Sequence, residues 1–264
     1  MRSWGMVAAL LLLAGCGTTR PSADIDHGHR LATVMGCTSC HGAKLDGHLF
    51  EEDPQFALAW SSNLSRILPR WSDRQTEQVL RRGRRPDGSV LWFMPTFAQR
   101  QISDDDLRDL IAWLRTVPPS GTDHPPIRRG PMFAVAIEHG FQDSAAQAER
   151  LKARQPVVLD DRFRQGRYLA TIACAECHGP ELSGPRDPRP GDPPDLSIAA
   201  AYTPGEFARL LTTGINRNGQ PAGDMAQEAR KRLSSLTRQE VAAIQAYLVA
   251  RAAVPGSGAT PRVQ

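Results

Sequence analysis

Four cysteines of the 264-residue chain fall into two copies of one five-residue pattern, Cys37-Thr38-Ser39-Cys40-His41 and Cys174-Ala175-Glu176-Cys177-His178. Two thiols spaced by two residues on a helical turn can add to the two vinyl groups of one porphyrin, and the residue after them sets an imidazole under the iron. Two other chemistries use closely spaced cysteines. Structural zinc wants four Cys or His ligands per site, and with these pairs the supply of suitable Cys is spent. A thioredoxin-like redox pair has no role for a trailing His in both copies, and no strand pattern precedes either pair. Covalent haem attachment is the expected chemistry. Cys37, Cys40, Cys174 and Cys177 would form the thioethers, and His41 and His178 would be axial ligands to two irons.

An iron held from one side by His still has a second axial position. No His follows His178, and Met225 is the only Met after Met132. Met94, followed by a stiffening Pro95, holds the matching place in the first half of the chain. A Met taken singly is more often a gap filler in a core. What singles out these two is a repeat that runs well beyond the motifs. Trp71, Gly83, Asp87-Gly88 and Met94 match Tyr202, Gly214, Asn218-Gly219 and Met225 at one offset of 131. Upstream, Gly28 to Val34 matches Gly166 to Ile172. One module is used twice, over about 24–117 and 161–253.

The elements that must position these residues follow from periodicity and caps. Leu31, Val34 and Met35, and in the second copy Leu169, Ile172 and Ala173, have the spacing of a buried helical face leading into each motif. A second helix is predicted from a capping box in both copies, Ser72 to Gln75 and Thr203 to Glu206, ending at Gly83 and Gly214. The last helix is predicted from Ser103, with Asp104 to Asp106 complementing the helix dipole, and from the capping box Thr237 to Glu240. Trp113 and Tyr247 lie on its apolar stripe and should face inward. Met94 and Met225 fall in the segment between the second and third helices, expected to be a loop.

The stretches CTSCHG and CAECHG, the Met loop and a final helix with an aromatic near its end resemble class I cytochrome c domains. That resemblance implies an all-α fold of two tandem domains, each holding one haem c. Asn63-Leu64, Trp71-Ser72-Asp73, Arg85-Pro86-Asp87-Gly88, Met94-Pro95 and Ser103 to Leu107 are further similar to diheme cytochrome subunits of periplasmic alcohol, sugar and gluconate dehydrogenases. The second Met loop departs from that pattern, with Asp224-Met225-Ala226 in place of a Met-Pro pair, and several of those subunits carry three haem motifs rather than two. His/Met ligation fills both axial positions and raises the potential, which implies one-electron transfer. The expected partner is a redox protein, either a dehydrogenase subunit or a terminal acceptor. The alternative is a diheme enzyme, peroxidase-like or thiosulfate-oxidising, in which one haem is open.

The ends and the middle of the chain carry less chemistry. Arg2, the apolar run Trp4 to Ala14 and then Leu13-Ala14-Gly15-Cys16 read as an export signal over 1–15, too short to span a bilayer. LAGC resembles a bacterial lipobox, which implies a lipid on Cys16, a tether over 16–23 and a place on the periplasmic face of a membrane, leaning towards the outer membrane. An ordinary secretory signal with a stray Cys would also export the chain. Residues 118–160, rich in Pro, read as an extended connector with one short charged helix from Ser144, and 254–264 as a flexible tail. Arg81, Arg82, Arg84 and Arg85 read as a solvated helix end, with a haem propionate or an acidic partner as the sharper option. His27, His29, His48, His124 and His139 read as exposed. The formal charge of +4 is spread along the chain, which argues against nucleic acid. Loss of Arg2 and about four propionate charges would bring the mature holoprotein near −1.

Overall fold

The computed structural model describes residues 22–255. The expected signal, Cys16, most of the tether and nearly all of the tail lie outside them.

The first repeat opens with α1 (Ile25–Val34), capped by Asp24, whose side chain accepts the amide of His27. The motif follows as a separate turn, α2 (Cys37–His41), after a left-handed Gly36 at φ +83°. In the second repeat the same path is one unbroken helix. The difference traces to length: two residues lie between Leu31 and Val34 as they do between Leu169 and Ile172, but two residues, Met35 and Gly36, lie between Val34 and Cys37 where only Ala173 lies between Ile172 and Cys174. One extra helical residue would swing the motif about 100° round the helix axis. The break at Gly36 takes up that residue.

After α2 the chain forms a hairpin, β1 (Leu49–Asp53) antiparallel to β2 (Ala57–Trp60). Then come the short α3 (Leu64–Ile67), α4 (Asp73–Arg82), the short α5 (Thr96–Gln99) and α6 (Asp104–Thr116). The α4 capping box forms in both directions between Ser72 and Gln75, and Gly83 ends the helix in the left-handed region. Ser103 caps α6 by accepting the amide of Asp106. Trp113 is buried on the inner face of α6, as its position on the stripe predicts. Gly28 is where α1 crosses α6: a Cβ there would lie 2.0 Å from the carbonyl oxygen of Asp109.

The connector is more structured than its composition predicts. A two-residue strand, β3 (Arg128–Arg129), pairs with β2 and completes a three-stranded sheet. Two helices follow, α7 (Pro131–Glu138) and α8 (Ser144–Leu151). The latter is the helix expected from Ser144, though its cap is Asp143. The connector packs on the first repeat. Phe133 and Phe141 stack with Phe56 and Trp92, and the amide of Ser144 donates to the carbonyl of Leu91 at 2.9 Å. Much of the chain's small aromatic supply is gathered in this one cluster, with Phe50 and Phe93 at its edge.

The second repeat runs α9 (Arg164–His178), α10 (Pro204–Thr213), α11 (Asp224–Lys231) and α12 (Arg238–Ala252). Capping boxes form at Thr203 with Glu206 and at Thr237 with Glu240. Tyr247 is fully buried and donates to the carbonyl of Val157 at 2.9 Å. Gly166 repeats the role of Gly28, here against the carbonyl of Ala243 on α12. The fold is thus mostly α and repeated, with the small sheet as an addition that the all-α expectation lacked.

The repeats meet along a polar seam. Arg30 of α1 donates from one Nη to both carboxylate oxygens of Glu240, at 2.8 and 2.6 Å. Tyr168 of α9 donates its hydroxyl to Asp106 and accepts the amide of Ser103.

Candidate haem sites

Each motif ends a helix, with His41 and His178 in the last turn and a glycine next. The imidazoles are held alike. Nδ1 of His41 lies 2.8 Å from the carbonyl oxygen of Ser62, and Nδ1 of His178 lies 2.8 Å from that of Pro194. A carbonyl can only accept, so Nδ1 carries the proton in both rings and Nε2 keeps its lone pair for a metal. Burial lowers the pKa of both rings, and the carbonyl contact pulls the other way. The backbone leaving each motif is also the same. The amides of Gly47 and Gly184 return to the carbonyls of His41 and His178 at 2.8 and 2.9 Å, and the fully buried Leu45 and Leu182 stand at φ +53° and +60°. Non-glycine residues are uncommon there.

In the second repeat, Cys174, Cys177, His178 and Met225 line one cleft together with Leu196, Tyr202, Phe207 and Leu211. It opens to solvent, with a cavity of about 170 Å³ between its walls. In the first repeat, Cys37 and Met94 pack, partly buried, on the same core. The segment holding Met94 is a loop, as expected, and α5 begins two residues later. Met225 is instead the second residue of α11, with Gly223 before the helix. The Pro that follows Met94 keeps that residue out of a helix, whereas Ala226 lets the second segment close into one.

Burial pushes Cys37 and Cys174 up to about 12, far above the reactive range. Among the described residues, no group of three or more His, Cys, Asp or Glu is placed to hold a metal ion, which leaves the zinc alternative without a site. An imidazole with a fixed Nδ1 proton, two adjacent thiols and an apolar cleft fit a haem.

Residues 23–114 match the model of the family described as cytochrome c oxidase, cbb3-type, subunit III, and residues 163–251 match that of cytochrome c. A curated protein of Cereibacter sphaeroides described as "Diheme cytochrome c-type" is 25% identical, the match spanning 91% of this chain and 95% of that one. The chain belongs to the diheme c-type cytochromes. It is built for two covalently bound haem c groups, one per domain.

Other residues of this diheme cytochrome depart from the sequence reading. Arg81 is no free helix end: it is paired with Glu77 and Asp104 and donates to the carbonyls of Arg100 and Ile102. Arg85 donates to the carbonyl of Val90. His27 pairs with Asp106 at 2.9 Å, and His124 reaches the carbonyl of Asp46 at 2.8 Å, so neither is simply exposed. Three contributors to the sites were not foreseen. Ser62 and Pro194 act through backbone carbonyls, which every residue has, so no side-chain signal marks them. Arg232 lines the second cleft and lies outside the matched positions of the repeat.

Proposed function

We propose that this cytochrome is a one-electron carrier in which His41 with Met94 and His178 with Met225 fill both axial positions of the two irons. It would accept electrons from a dehydrogenase and pass them to the respiratory chain. The observation that carries this reading is the presence of Met225 in the same cleft as Cys174, Cys177 and His178, combined with the carbonyl-fixed Nδ1 of both histidines. When bound, each haem supplies one reversible electron. The chain's own residues do the rest. The Nδ1 contacts hold each imidazole in one tautomer and raise its basicity as a ligand. The Met sulfurs supply a soft axial donor that raises the potential. The apolar walls of Leu196, Phe207 and Leu211 limit water around the second site. With both axial positions filled by side chains, no coordination site remains for a substrate.

The likeness of the first domain to a cytochrome oxidase subunit family and the resemblance to dehydrogenase subunits both support a redox protein as partner. Export and a lipid on Cys16, at the periplasmic face of a membrane, belong to the same proposal. No helix among the described residues is long and apolar enough to cross a membrane.

Carbon monoxide tests the ligation. The reduced holoprotein should bind it at neither haem. Ready binding at one haem, together with peroxide or thiosulfate turnover, would favour a diheme enzyme instead. The anchor is tested by the mass of the native N-terminus, which should be that of an acylated Cys16.

A further inference from the structure

Arg232 follows α11, and only 5% of its surface is exposed. Its guanidinium serves both repeats at once. Nε and Nη2 donate to the carbonyl of Val34, each at 3.2 Å, and Nη2 also reaches the carbonyl of Ala173 at 3.5 Å. Nη1 donates to Glu176 at 3.0 Å and to Glu228 at 3.1 Å. Val34 lies three residues before Cys37, Ala173 directly before Cys174, and Glu176 inside the second motif. Because one nitrogen serves both carbonyls, the two haem-attachment motifs are no further apart at this point than those two bonds allow. The fit is close on the other side as well. A Cβ on Gly36 would lie 2.9 Å from Cζ of Arg232, so the residue that breaks α1 also makes room for the guanidinium.

A buried charge is costly to desolvate, and the part-buried pair of Arg30 and Glu240 would already join the domains. Arg232 instead places its five donors where the two motifs approach, a reach that only a planar fork provides. We propose that Arg232 is a positioning residue that clamps the two haem-attachment motifs against each other, so that an electron crosses between the two sites within one chain. This rests on the carrier reading above. The donors satisfy the Val34 carbonyl left open where α1 ends, and Glu176 and Glu228 neutralise the buried charge.

The test uses the full-length holoprotein and the variants Arg232→Met, Arg232→Lys and Arg30→Met. Two quantities are read: the spin–spin interaction of the two ferric irons by pulsed EPR, and the rate of intramolecular equilibration after photoinjection of one electron. Arg232→Met should weaken the spin–spin interaction and slow equilibration by about tenfold or more, as misplacement does in other positioned reactions. Arg232→Lys keeps the charge without the fork and should fail to restore either quantity. Arg30→Met, which loosens the seam away from the motifs, should change both by much less. Full rescue by Lys, an unchanged Arg232→Met, or an equal effect of Arg30→Met overturns the clamp. If Arg232→Met does not hold its haems, Arg232→Lys against Arg30→Met decides alone. Carbon monoxide binding by the unsubstituted protein would sink the carrier reading, while the EPR comparison would still decide the clamp.

Discussion

At the scale of single residues, the two sites are unequal in how the backbone holds each Met. Met94 stands in a loop stiffened by Pro95 beside Phe93, which is held at φ +68° within the aromatic cluster. Met225 stands in the first turn of α11, behind Gly223. On the proposed ligation, replacing either Met by Ala opens that axial position, so each variant should bind one equivalent of carbon monoxide when reduced. The potential of the affected haem should also fall, since the Met sulfur is what raises it. Difference spectra and a redox titration of each variant check this. A variant that still excludes carbon monoxide would show that its Met is not the axial ligand. The Nδ1 contacts predict no such inequality, because Ser62 and Pro194 hold the two histidines at the same 2.8 Å.

At the scale of elements, the segment carrying Pro194 is held from α12. Arg251, with 1% of its side chain exposed, donates to Asp195 at 2.8 Å, next to the carbonyl that orients His178. Removing one partner of a buried ion pair costs about 3–5 kcal/mol. Arg251→Met should therefore destabilise the second domain by about 3 kcal/mol, read as a lower denaturation midpoint at the second haem with the first little changed. What could be read from sequence at this scale was local. The capping boxes at Ser72, Thr203 and Thr237 and the left-handed Gly83 and Gly214 form within a few residues, so residue type and spacing suffice. The hairpin at 49–60 and helix α7 were not legible. Phe56 is half-buried against Phe133 and Phe141, about eighty residues further along the chain, and α7 leaves Met132 and Ile137 exposed, so neither element shows a clean amphipathic pattern. The break at Gly36 was hidden for another reason: the extra residue is visible, but which of several positions absorbs it depends on Arg232 from the other domain. The Cys and His of both sites were legible because the motif is contiguous; the groups that orient and join them come from distant loops.

At the scale of the whole molecule, the domains are coupled by charge at the seam and by haem within. Burial alone would lift the Glu240 carboxyl, but the Arg30 guanidinium and the amide of Thr237 outweigh it and hold it below the usual range. A group depressed in the folded state lends stability above its unfolded pKa and loses it as pH falls through the folded one. Interdomain hydrogen-exchange protection should thus be full at neutral pH and fall under acid, and Glu240→Gln should lower it at neutral pH and flatten the acid limb. The larger effect belongs to the haems. The second cleft holds a cavity of about 170 Å³ between helices that otherwise hold their core with aliphatic side chains. Left as void, that volume would cost about 4 kcal/mol at about 24 cal/mol per Å³. That approaches the lower end of the whole stability of a typical domain, about 5–15 kcal/mol. Protein made without haem attachment should therefore lose much of its helical circular dichroism and its cooperative unfolding, and should be cleaved by protease within the walls of the second cleft. The aromatic cluster of Phe56, Trp92, Phe133 and Phe141 needs no haem, so the residual structure should map to the first domain and the connector. Haem-free protein that unfolds as cooperatively as the holoprotein would mean that the second cleft closes on itself, and that its porphyrin is not part of the core.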